Sequence, residues 1–247
     1  MTRLTRQEVI SRLRDPHKQP ADLSESDLSD LNLTAVDFQN CRMQGVNLTG
    51  ADLTSANLQG VNLTGAILHD TNLTDARLPY ANLTQASLRG TELTGAVLRG
   101  VNLTQATLDD VILTGANLEA ARLVRATLTG LDLTGVNLCD ARLINADLHD
   151  TILIHANLTN ADCTNADLSS ADLSHARLHR TNLTGADLSG AVLEGVDLTG
   201  AVVTGALLYG VQLDGKNYRY AQRSGAKVDE RSDKPKRDQR RSKWRLW

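Results

Sequence analysis

The chain has 247 residues, a formal net charge of −3 and only 3% aromatic residues, a content that is low for an ordinary globular core. It contains no apolar run of about 18 residues and no signal sequence, so we expect a cytoplasmic protein without a transmembrane segment. The three Cys do not suggest a disulfide framework and are interpreted as free thiols in a reducing compartment.

Residues 1–20 are predicted to form a capping helix. Thr5 and Glu8 have the spacing of a capping box, and Leu4 with Val9 has that of a hydrophobic staple. Pro16 restricts the residue before it and ends the helix. We interpret this helix as a lid on the open end of the element that follows, and a separate recognition helix is the alternative.

Residues 21–214 follow one repeat of five residues. Leu, or once each Phe, Met, Cys and Val, occurs at every fifth position from Leu23 to Leu213, which gives 39 centres without a gap. We number each unit 1 to 5. Position 1 is small or branched and apolar, position 2 is mostly Asp or Asn, and position 3 is the centre. Position 4 is mostly Thr or Ser, and position 5 is often Gly, Asp or Asn; 51–55 and 61–65 are typical units.

A period of five fits neither regular element. On an α-helix the centres would form no stripe, and on a long strand they would alternate between the two faces. Short extended segments with a corner in every unit resolve the conflict, because positions 1 and 3 then point inward together. Residues such as Gly, Asn and Asp at the corner tolerate left-handed backbone geometry. The repeat therefore predicts a stacked solenoid.

The units Ala-Asp-Leu-Thr-Gly and Ala-Asn-Leu-Xaa-Xaa resemble those of the pentapeptide-repeat family, and the resemblance covers residues 21–214. It implies an all-β solenoid, a right-handed quadrilateral β-helix with 20 residues per coil. About ten coils at the strand spacing of about 4.8 Å would make a rod roughly 45 Å long. Residues 20 apart would stack, and we expect a structural core ladder at Leu63, Leu83, Leu103, Leu123 and Leu143.

The repeat weakens after Leu213. Residues 215–222 are predicted to close the C-terminal end, with Tyr218 and Tyr220 against the last coil. Residues 223–247 are rich in Lys, Arg, Asp, Ser and Gln and are predicted to form a basic disordered tail. Basic residues interleaved with Trp244 and Trp247 can contact an anionic partner such as nucleic acid or a membrane surface.

Although the net charge is small, the acidic and basic residues of the repeat are unevenly distributed around the solenoid. We call the four sides A, B, C and D, centred on Leu23, Leu28, Leu33 and Phe38 and on every twentieth residue after each. Sides B and C carry 16 Asp or Glu and one Arg, whereas sides A and D carry 7 Asp or Glu and 8 Arg. A solvated face that keeps the rod soluble and a docking surface for a basic partner are both consistent with this. The candidate acidic face comprises Asp70, Asp109, Asp110, Asp147, Asp150, Asp167, Asp187, Asp132 and Asp172.

Apolar residues also occur at outward positions where Asn, Asp or Thr would be usual. Clustered exposed apolar residues can mark an interface, whereas single ones mean little. The candidate apolar partner patch comprises Ile112, Ile152, Ile154 and Val192 on side C and Val124 and Ile144 on side A.

The sequence offers little for catalysis or cofactor binding. His155 and His175 are expected to stack about 5 Å apart, but no third metal ligand converges on them, and a solvated pair is the simpler interpretation. No nucleophile elbow, phosphate loop or Cys-His metal spacing is present. We therefore predict no enzyme activity, no cofactor and no metal site.

Two functions are consistent with these features. The first is a non-catalytic interaction scaffold that presents its acidic and partly apolar surface to a protein partner, with end-to-end homodimers as a further option. The second is DNA mimicry, because some members of the resembled family bind DNA gyrase and protect it. The unbroken repeat, the interspersed Arg and the basic tail depart from that subgroup.

Overall fold

The computed structural model describes residues 1–17 and 19–229. Strand β1 (Thr2–Arg3) and helix α1 (Arg6–Arg14) precede the repeat. Strands β2 (Ser26–Asp27) and β3 (Leu207–Leu208) lie near its two ends, and helix α2 (Gly215–Arg223) and strand β4 (Lys227–Val228) follow it. Within the described residues, neither helix is long and apolar enough to cross a bilayer.

Along the repeat, parallel pairing joins residues that are 20 apart in sequence. Single position 2 residues pair from Asp22 with Arg42 up to Asp187 with Leu207. One turn of the chain therefore takes four pentapeptides, and each of the four sides A to D is a ladder of stacked units. The β-helix predicted from the repeat is confirmed, although each unit contributes only one paired residue instead of a long strand.

Backbone hydrogen bonding explains why the unit has five residues. The amide of Leu53 donates to the carbonyl of Asn72 at 2.7 Å, and the amide of Asn72 donates back to Ala51 at 3.0 Å. The amide of Ser55 reaches the next coil at 2.9 Å, and the amide of Ala56 closes the corner onto Leu53 at 2.9 Å. Four of the five amides in the unit 51–55 are thus bonded to backbone, as buried amides require.

In many units the fifth amide, at position 4, donates to the side chain of an Asp or Asn at position 2. Thr54 donates its amide to Oδ1 of Asp52 at 3.0 Å, and Thr64 donates its amide to Oδ1 of Asn62 at 3.1 Å. This local bond is the one Asp and Asn make best in turns, so it accounts for their prevalence at position 2. The Asp residues of the repeat therefore have a structural role as well as a charge.

Every position 5 residue from Glu25 to Gly210 has a left-handed backbone, with φ between 53° and 87°. Gly, Asn and Asp tolerate this region best, which confirms the predicted corner. No β-branched residue occurs there, as expected from its steric cost.

The interior consists of position 1 and position 3 side chains. The predicted core ladder from Leu63 to Leu143 is buried at all five positions. Four Thr at position 1 are also buried, and each bonds its hydroxyl to a backbone carbonyl, as Thr71 does to Leu48 at 2.8 Å. Among the described residues, no buried side-chain nitrogen or oxygen lacks a hydrogen-bond partner.

The three Cys are free thiols in the structure. Cys41 and Cys163 are interior, and burial raises the pKa of Cys41 to about 11 and that of Cys163 to about 12. Cys139 is partly exposed, with Sγ 3.3 Å from Oδ2 of Asp140. Burial, followed by the neighbouring Asp140, also raises the pKa of Cys139.

The N-terminal segment combines a strand with the predicted helix. Thr5 caps α1, the capping box with Glu8 is present, and Val9 is fully buried. The segment 1–20 is not helical throughout, because β1 pairs in parallel with β2 and the amide of Leu4 donates to Asp27 at 3.0 Å. The first coil has no preceding coil to bond its backbone N–H and C=O groups on side B, so β1 bonds to them instead. The repeat pattern did not indicate this pairing.

At the C-terminal end, the side chain of Asn217 in α2 makes two hydrogen bonds that the backbone of a further coil would otherwise make. Leu198 donates its amide to Oδ1 of Asn217 at 3.0 Å, and Nδ2 of Asn217 donates to the carbonyl of Val196 at 2.8 Å. In a regular coil both bonds are made by the backbone of a single residue of the next coil, as Asn72 does with Leu53 and Ala51. The Tyr220 hydroxyl likewise accepts from Gly200 at 3.1 Å, so side chains complete the backbone ladder where the repeat stops.

Beyond α2, the predicted disordered tail is wrong for its first residues. Arg223 ends α2, and Lys227 and Val228 form β4, which pairs with β3 in the 20-residue register. The physical reason is that β3 leaves open backbone groups on side B, which β4 satisfies; the amide of Lys227 donates to Ala206 at 2.8 Å. Residues 230–247, the rest of that predicted tail, lie outside the described residues.

We expect Leu103→Asp to unfold or aggregate the protein, because it buries a carboxylate in an apolar layer. Even the milder loss of a buried Leu side chain costs about 2–5 kcal/mol. The matched control is Asn102→Asp in the same unit, which keeps the Oδ1 acceptor for the amide of Thr104. Thermal unfolding measures both variants, and a wild-type melting temperature for Leu103→Asp would contradict the inward assignment.

We expect Asn217→Ala to loosen the C-terminal coil, because each buried backbone group that loses its partner costs about 1–3 kcal/mol. Amide hydrogen exchange should lose protection at Leu198, which donates to Asn217. Lys216→Ala in the same helix removes only an exposed ion pair with Asp197 and should leave exchange at Leu198 unchanged. Equal protection of Leu198 in wild type and Asn217→Ala would show that the Asn217 side chain does not complete the ladder.

Candidate partner-binding surface

The 20-residue register divides the outer charges between pairs of sides. Sides B and C carry 16 Asp or Glu and only Arg89 as an opposing charge, whereas sides A and D carry 7 Asp or Glu and 8 Arg. Because B and C adjoin, the acidic residues occupy one half of the circumference. They form a slab along the rod instead of a spiral around it.

The most concentrated part of this slab is a ladder of three carboxylates on side B. Asp147 pairs with Asp167, and Asp167 pairs with Asp187, at the same repeat position on successive coils. At a separation of about 5 Å, two such charges repel by roughly 0.8 kcal/mol even at the dielectric constant of water. In the described part of the chain, no Lys or Arg forms an ion pair with these three. We call them the side B ladder.

Each member of the side B ladder uses one oxygen for the fold. Oδ1 of Asp147, Asp167 and Asp187 accepts the position 4 amide of its own unit, from His149, Ser169 and Ser189. No hydrogen bond to Oδ2 is formed within residues 1–17 and 19–229. The ladder thus presents a row of second oxygens outward.

The remaining acidic candidates lie around this ladder. Asp70, Asp110 and Asp150 occupy left-handed corners on alternate coils of side B, and Asp109 is exposed beside Asp110. Asp132 and Asp172 lie on side C, each paired with Ile152. The structure therefore brings the side B candidates together and places the side C pair on the adjoining surface.

At the N-terminal end of the acidic slab, one Arg lies beside two Asp. Arg3 of β1 lies 4.0 Å from Asp27 and 3.9 Å from Asp30, and both Asp residues belong to the first unit of side B. His149 lies within side B, with Nε2 3.0 Å from Asp150 and Nδ1 2.9 Å from the Ser169 hydroxyl. The side B ladder lies farther toward the C-terminal end, without a Lys or Arg contact from the described chain.

Hydrogen bonds at the corners lower several carboxyl pKa values. The pKa of Asp52 lies below its ordinary value because the Thr54 hydroxyl and then the Thr54 amide donate to it, followed by the Thr34 hydroxyl. The pKa of Asp132 is lowered in the same way by the hydroxyl and amide of Thr134. These two residues of side C are thus held as carboxylates by the turn itself.

The apolar candidates do not form one patch. Ile112, Ile152 and Val192 are 50%, 38% and 45% exposed and share one column of side C. Asp132 and Asp172 lie between them in that column, so apolar and acidic side chains alternate. The other three candidates, Ile154, Val124 and Ile144, are half-buried.

The two stacked His lie at corners of side C. The rings of His155 and His175 are 5.1 Å apart between centroids and inclined by 18°. Among the residues that the structure describes, no group of three or more His, Cys, Asp or Glu is placed to hold a metal ion. The pair is therefore a ring stack in the structure, as the spacing predicted.

Two features of this surface were missed by sequence reasoning. The first is the use of Oδ1 at position 2 as a corner acceptor, which the recurrence of Asp and Asn before the centre could have indicated. The second is that the described chain meets side B at both of its ends, through β1 with β2 and through β3 with β4. No sequence signal marks those short strands.

Comparison with known proteins gives one consistent result. The sequence profile for pentapeptide repeats matches in eight overlapping copies from residue 21 to residue 215. HetL of the cyanobacterium Nostoc, a pentapeptide repeat protein involved in heterocyst differentiation regulation, is 34% identical, with 76% of this chain and 78% of HetL covered and a TM-score of 0.39.

Two further solved structures are more distant. QnrB1, a plasmid-mediated fluoroquinolone resistance protein, is 21% identical, with 81% of this chain and 92% of QnrB1 covered and a TM-score of 0.41. Rfr23 of the cyanobacterium Cyanothece is 26% identical, with 58% and 97% covered and a TM-score of 0.35. Among curated proteins, none matches the sequence.

We expect Asp52→Asn to change how stability depends on pH. A lowered folded pKa contributes stability above the unfolded value of about 3.9, and that contribution is lost as pH falls through the folded value. The melting temperature of the wild type should therefore be higher than that of Asp52→Asn at pH 7. The difference between the two melting temperatures should disappear at the lowest pH at which the protein is still folded. The reciprocal variant Asn102→Asp should gain the same acid sensitivity. A gap that stays constant with pH would contradict the role of the corner bond.

Proposed function

Because the chain belongs to the pentapeptide repeat family, we propose that it is a non-catalytic interaction scaffold that presents sides B and C to a basic protein partner. The observation that carries the proposal is the division of charge, with 16 acidic residues and one Arg on two adjoining sides. An acidic slab of this kind attracts and orients a partner that carries complementary charge.

The proposed presenting element is a right-handed rod of about ten coils, roughly 45 Å long at the strand spacing of about 4.8 Å. The family supports the hand, and the 20-residue pairing supports the coil length. Burial of Val9 in α1 and of Tyr218 in α2 supports closure of both ends. End-to-end pairing of two rods stays a prediction, which sedimentation at several protein concentrations can test.

The arrangement of the acidic residues supports binding over catalysis. Carboxylates that do acid–base work lie in clefts that shift their pKa upward or apart. Here the pairing keeps its interval of 20 without an inserted loop, and the pKa values of Asp52 and Asp132 are lowered by their own turns. Such groups stay charged at neutral pH and are suited to electrostatic docking.

Site-specific photo-crosslinking tests the proposal. A benzophenone is attached to Ser189→Cys on side B or to Thr199→Cys on side D, both at position 4 and both in a Cys139→Ser background. We expect a basic protein to be crosslinked from residue 189 and not from residue 199. The complex is then measured directly by titration of the purified partner.

The matched variants remove charge without removing the corner acceptor. Asp147→Asn, Asp167→Asn and Asp187→Asn together neutralise the side B ladder, whereas the control set neutralises the same repeat position on sides A and D: Asp22→Asn, Asp37→Asn and Asp162→Asn. Three exposed ion pairs at about 0.5 kcal/mol each predict roughly a tenfold loss of affinity in the first set only. Equal loss in both sets, or the same crosslinks from residues 189 and 199, would refute face-specific docking.

DNA mimicry directed at gyrase is the second candidate, and the continuous run of acidic residues along sides B and C is the observation in its favour. The eight Arg on sides A and D interrupt a duplex-like charge distribution, so the docking slab is the better supported of the two. A gyrase supercoiling assay with and without a quinolone distinguishes them. Inhibition or protection that is lost when Asp109, Asp110, Asp147 and Asp150 are changed to Asn would favour mimicry, and no effect would exclude it.

A further inference from the structure

The chain leaves the described structure on the acidic side B. β4 pairs with β3, and β3 is the side B unit directly after Asp187 in the stack. Oδ2 of Asp229 accepts the amide of Gly210 at 2.7 Å, which anchors the last described residue to the same side. Residue 230 therefore follows from a point at the C-terminal end of the side B ladder.

The segment that follows is strongly basic. Residues 230–247 contain eight Lys or Arg and three Asp or Glu, so their net charge is +5. Eighteen residues reach about 60 Å when extended. Asp147 lies four coils from Lys227, or about 19 Å at the strand spacing, and Asp109 lies about 29 Å away. The segment is long enough to cover the whole side B ladder.

We propose that residues 230–247 dock on side B of the same chain and compete there with the basic partner. The competition with a basic partner rests on the proposed function, whereas the docking of the segment does not depend on it. Side B matches the segment in charge, because the outward Oδ2 atoms of the side B ladder have no cationic contact from the described chain.

At the N-terminal end of side B, a terminal segment of the chain already brings a basic residue to the acidic side chains. There the terminal strand β1 pairs with β2 on side B and puts Arg3 within 4.0 Å of Asp27. The C-terminal strand β4 pairs with β3 on the same side, and the segment beyond it is the more basic of the two. Side D, in contrast, carries Arg177 and Arg180 near this end and repels a cationic segment.

Intrinsic fluorescence can report the docking, because Trp244 and Trp247 are the only Trp in the chain and both belong to the segment. A dye that accepts energy from Trp is attached in the full chain to Ser189→Cys on side B or to Thr199→Cys on side D, with Cys139→Ser. We expect several-fold more energy transfer to residue 189 than to residue 199, independent of protein concentration. The excess should vanish in about 1 M salt, where the screening length is about 3 Å.

The charge variants provide the decisive comparison. Asp147→Asn, Asp167→Asn and Asp187→Asn should abolish the excess, whereas Asp22→Asn, Asp37→Asn and Asp162→Asn should preserve it. Equal transfer to both positions, or an excess that survives the side B substitutions, would overturn the proposal. So would loss of the excess only on dilution, since that indicates docking between chains.

The docking of the segment can be tested separately from the proposed function. Docking of the segment is measured without any added protein, so it can fail while the crosslinked partner still binds. If the segment docks and a chain ending at residue 229 binds the partner no more tightly than the full chain, the competition is refuted. If residue 189 shows no excess energy transfer while the segment binds a single-stranded DNA oligonucleotide or anionic vesicles at low salt, the docking is refuted.

Discussion

Parallel pairing of residues 20 apart is the constraint on which the structure depends. It fixes which side chains are neighbours, because Leu63 can contact Leu83 only if every unit between them turns one corner. The pairing is accompanied by a left-handed residue at every fifth position, and in units with Asp or Asn at position 2 that side chain accepts the position 4 amide. The preferences at positions 2 and 5 of the repeat follow from those two features.

The same register converts a sequence of modest net charge into a surface with distinct halves. Asp147, Asp167 and Asp187 are scattered over 41 residues of sequence, yet they become direct neighbours on side B. Each of the three carboxylates also accepts the position 4 amide of its own unit through Oδ1. One set of residues thus supports the fold with one oxygen, and we propose that it serves docking with the other.

Sequence reasoning was sufficient wherever the repeat is regular. It predicted the solenoid, the corner residues, the core ladder and the stacking of His155 on His175, because periodicity determines all of them. It failed at the ends, where the pattern stops and open backbone groups select their partners. No periodic signal marks Asn217, whose side-chain amide bonds the backbone where the repeat stops. None marks β4 either, which was assigned to a disordered tail. For the candidate surface, sequence placed the acidic residues on their sides but gave the apolar residues as one patch, although acidic residues separate them.

The register itself can be measured most directly with pyrene labels on paired cysteines in a Cys139→Ser background. Thr107→Cys with Thr127→Cys joins residues that pair on side B, whereas Thr107→Cys with Asn117→Cys joins residues on opposite sides. We expect strong excimer emission from the first pair and none from the second, although the second pair is closer in sequence. Excimer emission from the second pair, or none from the first, would contradict the 20-residue coil and with it the acidic slab.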